Sequence, residues 1–320
     1  MAVTSLDKQS LGKRTASGTG SLKKQSFRKH LWFYLLAAPG IIYFLLFHYV
    51  PMWGVLLAFQ EYSPYKGVFH SEWVGFDHFI RFFKDPAFFE LLKNTLLLSF
   101  YNLFFYFPFT ILLSLLLNEV RSTLVKRFVQ TVVYLPHFVS WVIIVGITFI
   151  FFGPSGVLNH YFETWFDGKN VPFLMSNDWF RPMMVFQQIW KDAGWGTIIF
   201  MAALAGINPE LYEAAKVDGA NRWHNIVNIT LPGIRSTIIV LLILRLGSIL
   251  DSNFQQVFLM WNTFNESVSN VFDLYVYKVG LQRFEFSFSV AVGLFNSVVG
   301  LILIMIANYM AKLFKEDGIF

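Results

Sequence analysis

Of 320 residues, 55% are hydrophobic and 14% charged, 38 are phenylalanine, and the mean hydropathy is +0.51. A soluble domain carries about 25% charge, so this composition excludes a soluble enzyme and indicates a polytopic membrane protein. Zero cysteines exclude disulfides and thiol chemistry; the net charge of +5 follows membrane topology rather than an aromatic-interleaved patch, so nucleic acid is set aside.

Residues 1–30 are polar, with Lys8, Lys13, Arg14, Lys23, Lys24, Arg28 and Lys29 against Asp7. Such a segment buries no core and is predicted to be a disordered, basic cytoplasmic tail whose charge suits anionic lipid. It does not read as a cleaved leader, because the apolar run after it continues past Pro39 toward Phe59 without a cleavage site. The remainder, 31–320, is read as one transmembrane domain.

Crossing a bilayer takes about 20 apolar residues. By that measure six spans are predicted, near 31–58, 92–117, 128–152, 183–206, 232–257 and 287–311, which makes the fold class all-α. Cytoplasmic connections carry the excess of Lys and Arg. An inside N-terminus places Arg121, Lys126, Arg127, Lys216, Arg222, Arg235, Lys312 and Lys315 on the side of the tail, so both termini are expected in the cytoplasm. The outer connections are longer and aromatic: Tyr62, Pro64, Tyr65, Trp73, Phe76 and Phe79 in 59–91; Trp165, Pro172, Trp179 and Pro182 in 153–182; Trp261, Asn262, Tyr275, Tyr277 and Arg283 in 258–286. Two readings stay open for them, an interfacial belt or a docking surface for an extracytoplasmic protein.

Polar groups inside spans are costly and mark a substrate path or a lock between helices. In the fifth span Arg245 lies about 13 residues beyond Pro232, roughly 20 Å up a helix. Ser248, Ser252 and Gln255 or Gln256 follow at three- and four-residue intervals, a predicted polar stripe suited to hydroxyl-rich cargo. The fourth span opens with Gln187, Gln188, Trp190, Lys191, Asp192 and Trp195. Amides and indole faces are what sugars bind, and an interfacial span end gives the same set. Pro136, His137, Ser140 and Trp141 begin the third span, where they either bend the helix or line the path. In the sixth, Gly293, Ser297 and Gly300 form a small-residue packing face with the path candidate Asn296 beside it.

Between the fourth and fifth spans, 208–232 is too polar for lipid. Asn208 is a good N-cap, Pro209 suits the first helical position, Glu210 suits the positive end of the dipole and Gly219 reads as a stop. A second helix is expected from Asn221, with Trp223, Ile226, Val227 and Thr230 on one face, ending at Leu231-Pro232. The pattern Glu213-Ala214-Ala215, three residues, Gly219, nine residues, Ile229, one residue, Leu231-Pro232 resembles the EAA loop of permease subunits of binding-protein-dependent ABC importers. Leu35-Leu-Ala-Ala-Pro-Gly40, Tyr134-Leu-Pro136, Ile189-Trp-Lys-Asp-Ala-Gly-Trp195 and Leu244-Arg-Leu-Gly-Ser248 make the chain similar to the carbohydrate-uptake branch, of polysaccharide or oligosaccharide type.

The resemblance implies the type I importer permease fold with a cytoplasmic coupling helix. It also implies a second homologous permease, a cytoplasmic ATPase dimer and a solute-binding protein as partners, and coupling to the ATPase through Glu213, Ala214, Ala215, Asp218, Gly219, Ile229, Leu231 and Pro232. No phosphate-cradling G-x-x-x-x-G-K-[ST] and no paired His or acid spacing occurs. The chain is therefore expected to be non-catalytic and to hold no cofactor or metal, with ATP and Mg bound by the ATPase. Arg245 and Lys191 fit an acidic oligosaccharide such as a uronate fragment; neutral oligosaccharides fit equally well. The alternative is a self-sufficient secondary transporter, which calls for repeats with broken helices and acidic relays.

Overall fold

The structure is a computed structural model in which residues 19–166, 168 and 170–313 are described. The chain divides into two compact units, Met1–Val55 and Leu56–Phe320. In the first, α1 (Thr19–Phe44) runs on through a π-helical turn, Leu45–Tyr49. The helix thus begins inside the segment expected to be disordered, because Leu22, Lys23, Lys24 and Gln25 are good helix formers contiguous with an apolar helix that propagates into them. Residues 1–18 lie outside the described residues.

The described chain is all-α apart from one short ladder at the start of the second unit, where β1 (Gln60–Glu61) pairs antiparallel with β2 (Glu72–Trp73). Next come α2 (Asp77–Lys84), α3 (Ala87–Tyr101), a π-helical turn Asn102–Tyr106 and α4 (Phe107–Glu119). After them lie α5 (Thr123–Tyr134), α6 (Trp141–Phe152), α7 (Val157–Phe166), α8 (Asn177–Ala205) and α9 (Pro209–Val217). The chain continues with α10 (Arg222–Asn225), α11 (Arg235–Gly247), α12 (Phe254–Met260), α13 (Phe272–Tyr277) and α14 (Phe286–Leu313).

Four stretches are helical, long and apolar enough to cross a membrane: Leu31–Phe59, Ala87–Glu119, Trp141–Trp165 and Phe286–Leu313. A fifth forms only if Arg222–Gly233 and Arg235–Gly247, bent by 59°, are taken as one. The predicted fourth span falls within α8, which carries Asp178, Arg181, Lys191 and Asp192 and is not among them.

Two predicted spans are broken helices. The third divides at Leu135–Phe138, where Pro136 supplies no N–H and biases its neighbour away from the helical region. Its membrane-length run accordingly starts at Trp141, with Ser140 as N-cap. The fifth stops at Gly247, and 248–253 are non-helical. Asn253 turns with φ 52°, and Ser252 donates its N–H and hydroxyl to Asp273 Oδ2, both at 3.0 Å. Short polar side chains compete for backbone hydrogen bonds, so this cluster ends the helix and the predicted stripe does not run along one continuous face.

Close approach replaces bulk where helices cross. Gly194 of α8 lies against the Val133 carbonyl of α5. Gly300 of α14 meets the Gly247 carbonyl, 2.9 Å from where a Cβ would stand. The rest of the predicted small-residue face does not pack: nothing approaches Gly293 within 4 Å, and Ser297 is exposed and bonded to its own helix. One core cluster joins Leu98, Val145, Met184, Val257 and Leu274 from α3, α6, α8, α12 and α13.

A second core gathers Phe82, Phe272, Phe288 and Val292 and clamps the connection 59–91 against 258–286. Arg81 supports it by pairing with Glu285 at 2.5 Å and lying over the Phe288 ring at 4.2 Å. Tyr275, one of the outer aromatic residues open to either a belt or a docking reading, is 9% exposed and donates to Asp85 Oδ2 at 2.7 Å. Burial pushes its hydroxyl well above the usual phenol range and Asp85 adds to the shift, so it stays a donor. Tyr65, Trp73 and Phe76 do remain exposed.

Candidate functional site

Irregular backbone at membrane depth is tolerated only where protein satisfies it or where it lines a cavity. The breaks at 135–140 and 248–253 meet α8 at one polar cluster. Gln188 is its hub, donating to Asp192 Oδ2 at 2.6 Å and accepting from Asn253 Nδ2 at 3.1 Å. Asp192 Oδ1 pairs with His137 Nδ1 at 2.7 Å, and the His137 ring stacks on Trp195 with centroids 4.5 Å apart and planes 5° from parallel. Tyr106, from the π-helical turn, donates to the Asp192 carbonyl at 3.2 Å and carries the Arg245 guanidinium 5.3 Å above its ring.

Several predicted path residues are internally engaged. Lys191 donates to the His137 and Val139 carbonyls, both at 2.6 Å, with its ammonium 5.6 Å from the Trp141 ring centroid. Gln187 donates to Thr148 Oγ1 and accepts from Gln256, whose amide also reaches the Met184 carbonyl. The inward glutamine of the adjacent pair is therefore Gln256, while Gln255 is exposed. Ser252 is held by Asp273.

Arg245 and Ser248 border a cleft of about 20 Å³ with Ser99, Asn102 and Asp251, room for about one water. Trp190, 45% exposed, instead borders a cavity of about 510 Å³ with Thr148, Phe152 and Gln187. Asn296 is half-buried on α14, and its Oδ1 meets no protein donor. The open members of the cluster are thus the Asp192 carboxylate, 18% exposed, the His137 side chain, 32% exposed, and the Trp195 face, 45% exposed. Acceptors beside an indole suit a hydroxyl-bearing ring.

His137, Asp192 and Trp195 are visible as residue types in the sequence, whereas nothing in the local pattern marks Tyr106 and Asn253 as their partners. The available signal was the polar run Ser248 to Asn253 interrupting an apolar stretch.

The segment 208–232 folds largely as its caps predict. Asn208 Oδ1 accepts the Glu210 N–H at 3.1 Å, Pro209 is at the helix start, and Gly219 has φ +80°. Glu213, Ala214, Asp218 and Gly219 are exposed, with Leu211, Val217 and Trp223 adding exposed apolar surface. The second helix differs from expectation. A π-helical turn, Ile226–Thr230, follows α10, and Leu231 and Pro232 remain helical to Gly233; the break falls at Ile234. The wide turn rotates the face, so Trp223 is exposed while Thr230 is buried. Ile229 and Leu231 are half-buried.

Residues 106–316 match a family described as Binding-protein-dependent transport system inner membrane component. The chain is 55% identical over 305 residues to Protein LplB of Bacillus subtilis, covering 95% of this chain and 96% of that one. It is 53% identical over 289 residues to the polygalacturonan/rhamnogalacturonan transport system permease protein YteP of the same organism, covering 90% of each. A solved bacterial alginate ABC transporter, in complex with alginate pentasaccharide-bound periplasmic protein, contains a chain of 41% identity and TM-score 0.83. That match covers 92% of this chain and 99% of the solved one. A second structure of a bacterial ABC transporter involved in alginate import gives 42% identity and TM-score 0.83, over 91% and 98%.

Proposed function

Because this chain belongs to the family of binding-protein-dependent transport system inner membrane components, we propose that it forms half of a pathway for an oligosaccharide or polysaccharide fragment delivered by a solute-binding protein. As a family member it is a permease subunit of an ABC importer, a multi-pass membrane protein with no catalytic role, and the secondary-transporter alternative falls away. The observation that carries the saccharide reading is the meeting of Gln188, Asp192, His137 and Trp195 at two helix breaks. Hydroxyls bind the first three while a ring face covers the indole. Relatives named for polygalacturonan/rhamnogalacturonan and alginate support an acidic fragment. Within the pathway we assign Gln188, Arg245 and Ser248 to its lining, with Trp190 and Asn296 beside it; Gln187, Lys191 and Ser252 support it from behind, and Gln255 sits at its edge.

The remaining assignments follow the same reading. The domain is 31–320 with six spans, α8 the sixth to be counted, and both termini are cytoplasmic. A second homologous permease completes the pathway. An ATPase dimer, binding ATP and Mg, receives 208–232 through Glu213, Ala214, Ala215, Asp218 and Gly219, while Ile229, Leu231 and Pro232 carry the motion into α11. The test is ATPase stimulation of the assembled complex in nanodiscs by binding proteins loaded with galacturonate oligomers or with neutral oligosaccharides. Stimulation and uptake with a loaded binder are expected, the acidic one stronger; no stimulation by any saccharide-loaded binder overturns the reading.

A further inference from the structure

Arg181, in the second turn of α8, has no part in the site above. Its Nη2 donates to Asn94 Oδ1 at 2.9 Å, and Asn94 is itself fixed by donating to the Ser267 and Asn270 carbonyls at 2.8 and 3.1 Å. The guanidinium is therefore held in one orientation. Its Nε is buried without a protein acceptor, and among the described residues it forms no ion pair. A fixed, half-buried charged donor of this kind calls for an anionic partner from outside the chain.

Arg181 borders a cavity of about 600 Å³ between α3, the π-helical turn and α8. Below it the walls are mainly apolar, with Phe105, Val185, Phe186 and Ile189 beside the Tyr101 ring. From Arg181 to Ile189 the helix rises about 12 Å, and the Tyr101 hydroxyl is the one polar side-chain group among the residues lining that stretch, so the groove suits an acyl chain better than a sugar. At the exposed mouth stands Asp178, about 4.5 Å back along the helix. One cation and one anion at that spacing complement a headgroup carrying a phosphodiester and an ammonium. A purely anionic headgroup would meet Asp178 unfavourably.

We propose that this groove is a phospholipid site. The phosphodiester sits on Arg181, one acyl chain lies along Phe105, Phe186 and Ile189, and an amine-bearing headgroup turns to Asp178. The site stands apart from the saccharide cluster and is independent of the cargo.

The assembled importer, extracted from nanodiscs of phosphatidylethanolamine and phosphatidylglycerol in equal parts, is examined by native mass spectrometry for retained lipid. Wild-type complex is expected to retain phosphatidylethanolamine. Arg181→Gln removes the phosphate contact and lowers retention by about tenfold or more, as loss of a charge-assisted hydrogen bond dictates. Ile189→Trp fills the groove with the charges intact and does the same, so the test survives if Arg181→Gln fails to assemble. Asp178→Asn shifts the retained lipid toward phosphatidylglycerol. Unchanged retention in both Arg181→Gln and Ile189→Trp overturns the proposal. So does displacement of the lipid by oligosaccharide, or efficient cross-linking of the Phe186→Cys variant to the second permease, which would place a sugar or a protein helix in the groove.

Discussion

The ammonium of Lys191, in a residue 8% exposed, satisfies the two carbonyls left open where α5 gives way to α6. Each unsatisfied buried acceptor costs about 1–3 kcal/mol, so Lys191→Met is expected to destabilise the folded chain by about 3 kcal/mol. A lowered thermal midpoint of the solubilised complex checks it. A lysine whose role was to touch a cargo carboxylate would leave that midpoint unchanged and weaken uptake of acidic substrates alone. Asp192→Asn acts differently: it removes the charge and turns into a donor one of the two oxygens that Gln188 and His137 meet at the open part of the cluster. Saccharide uptake should fall by about tenfold or more, as with loss of a charged hydrogen bond, while the thermal midpoint moves little. Uptake at the wild-type rate would remove Asp192 from the pathway. The sequence made the residue types of this site legible, since Gln, Trp, Lys and Arg stand out in an apolar run. It did not make their partners legible. Lys191 meets carbonyls 52 and 54 residues away, and helical periodicity carries no information at that separation.

At the scale of elements, apolar length located the helices well and their interruptions poorly. Pro136 was a visible break signal, but what makes the break tolerable is a lysine on another helix. The stop at Gly247 likewise depends on Asp273, 21 residues past Ser252. Outer aromatic residues divide by partner rather than by type, since Tyr275 is buried against Asp85 while Tyr65 is fully exposed. The α5 to α8 contact gives the sharpest test at this scale. A side chain on Gly194 would collide with the Val133 carbonyl, and backbone cannot yield as a flexible side-chain tip does. Overpacking of this kind costs about 1–3 kcal/mol or more. Gly194→Leu is therefore expected to lower the yield of folded complex and to splay α5 from α8, read as a shorter lifetime in detergent at raised temperature. Gly196→Ala, two residues on, adds one methyl that meets the Thr110 and Tyr106 side chains rather than backbone and should be milder; equal effects would discount the close approach.

Across the whole molecule, the question is how a push on the exposed face of α9 reaches the polar cluster. The segment 208–232 joins α8, which carries Gln188 and Asp192, to α11, which carries Arg245. Its base is pinched: the Ile207 side chain packs on Gly233, so that a Cβ there would stand 2.8 Å from Ile207 Cδ1. Tyr212 bonds Thr230 at 3.0 Å across the loop. If 208–232 takes up motion as proposed, a lever closed at its base turns as a unit, and displacement at Glu213 is expected to tilt both helices that bear the site. Gly219 holds the turn at φ +80°, a conformation proline cannot adopt. Glu213→Ala with Gly219→Pro should therefore abolish uptake driven by a loaded binding protein, while the chain inserts and the helices of the cluster stay assembled. Tyr212→Phe, which removes one tie and leaves the exposed face intact, should lower transport per ATP hydrolysed without releasing the ATPase from the complex. Both are read by measuring uptake and hydrolysis together in reconstituted vesicles. Full uptake by the double variant would mean that motion enters the membrane helices by some route other than 208–232.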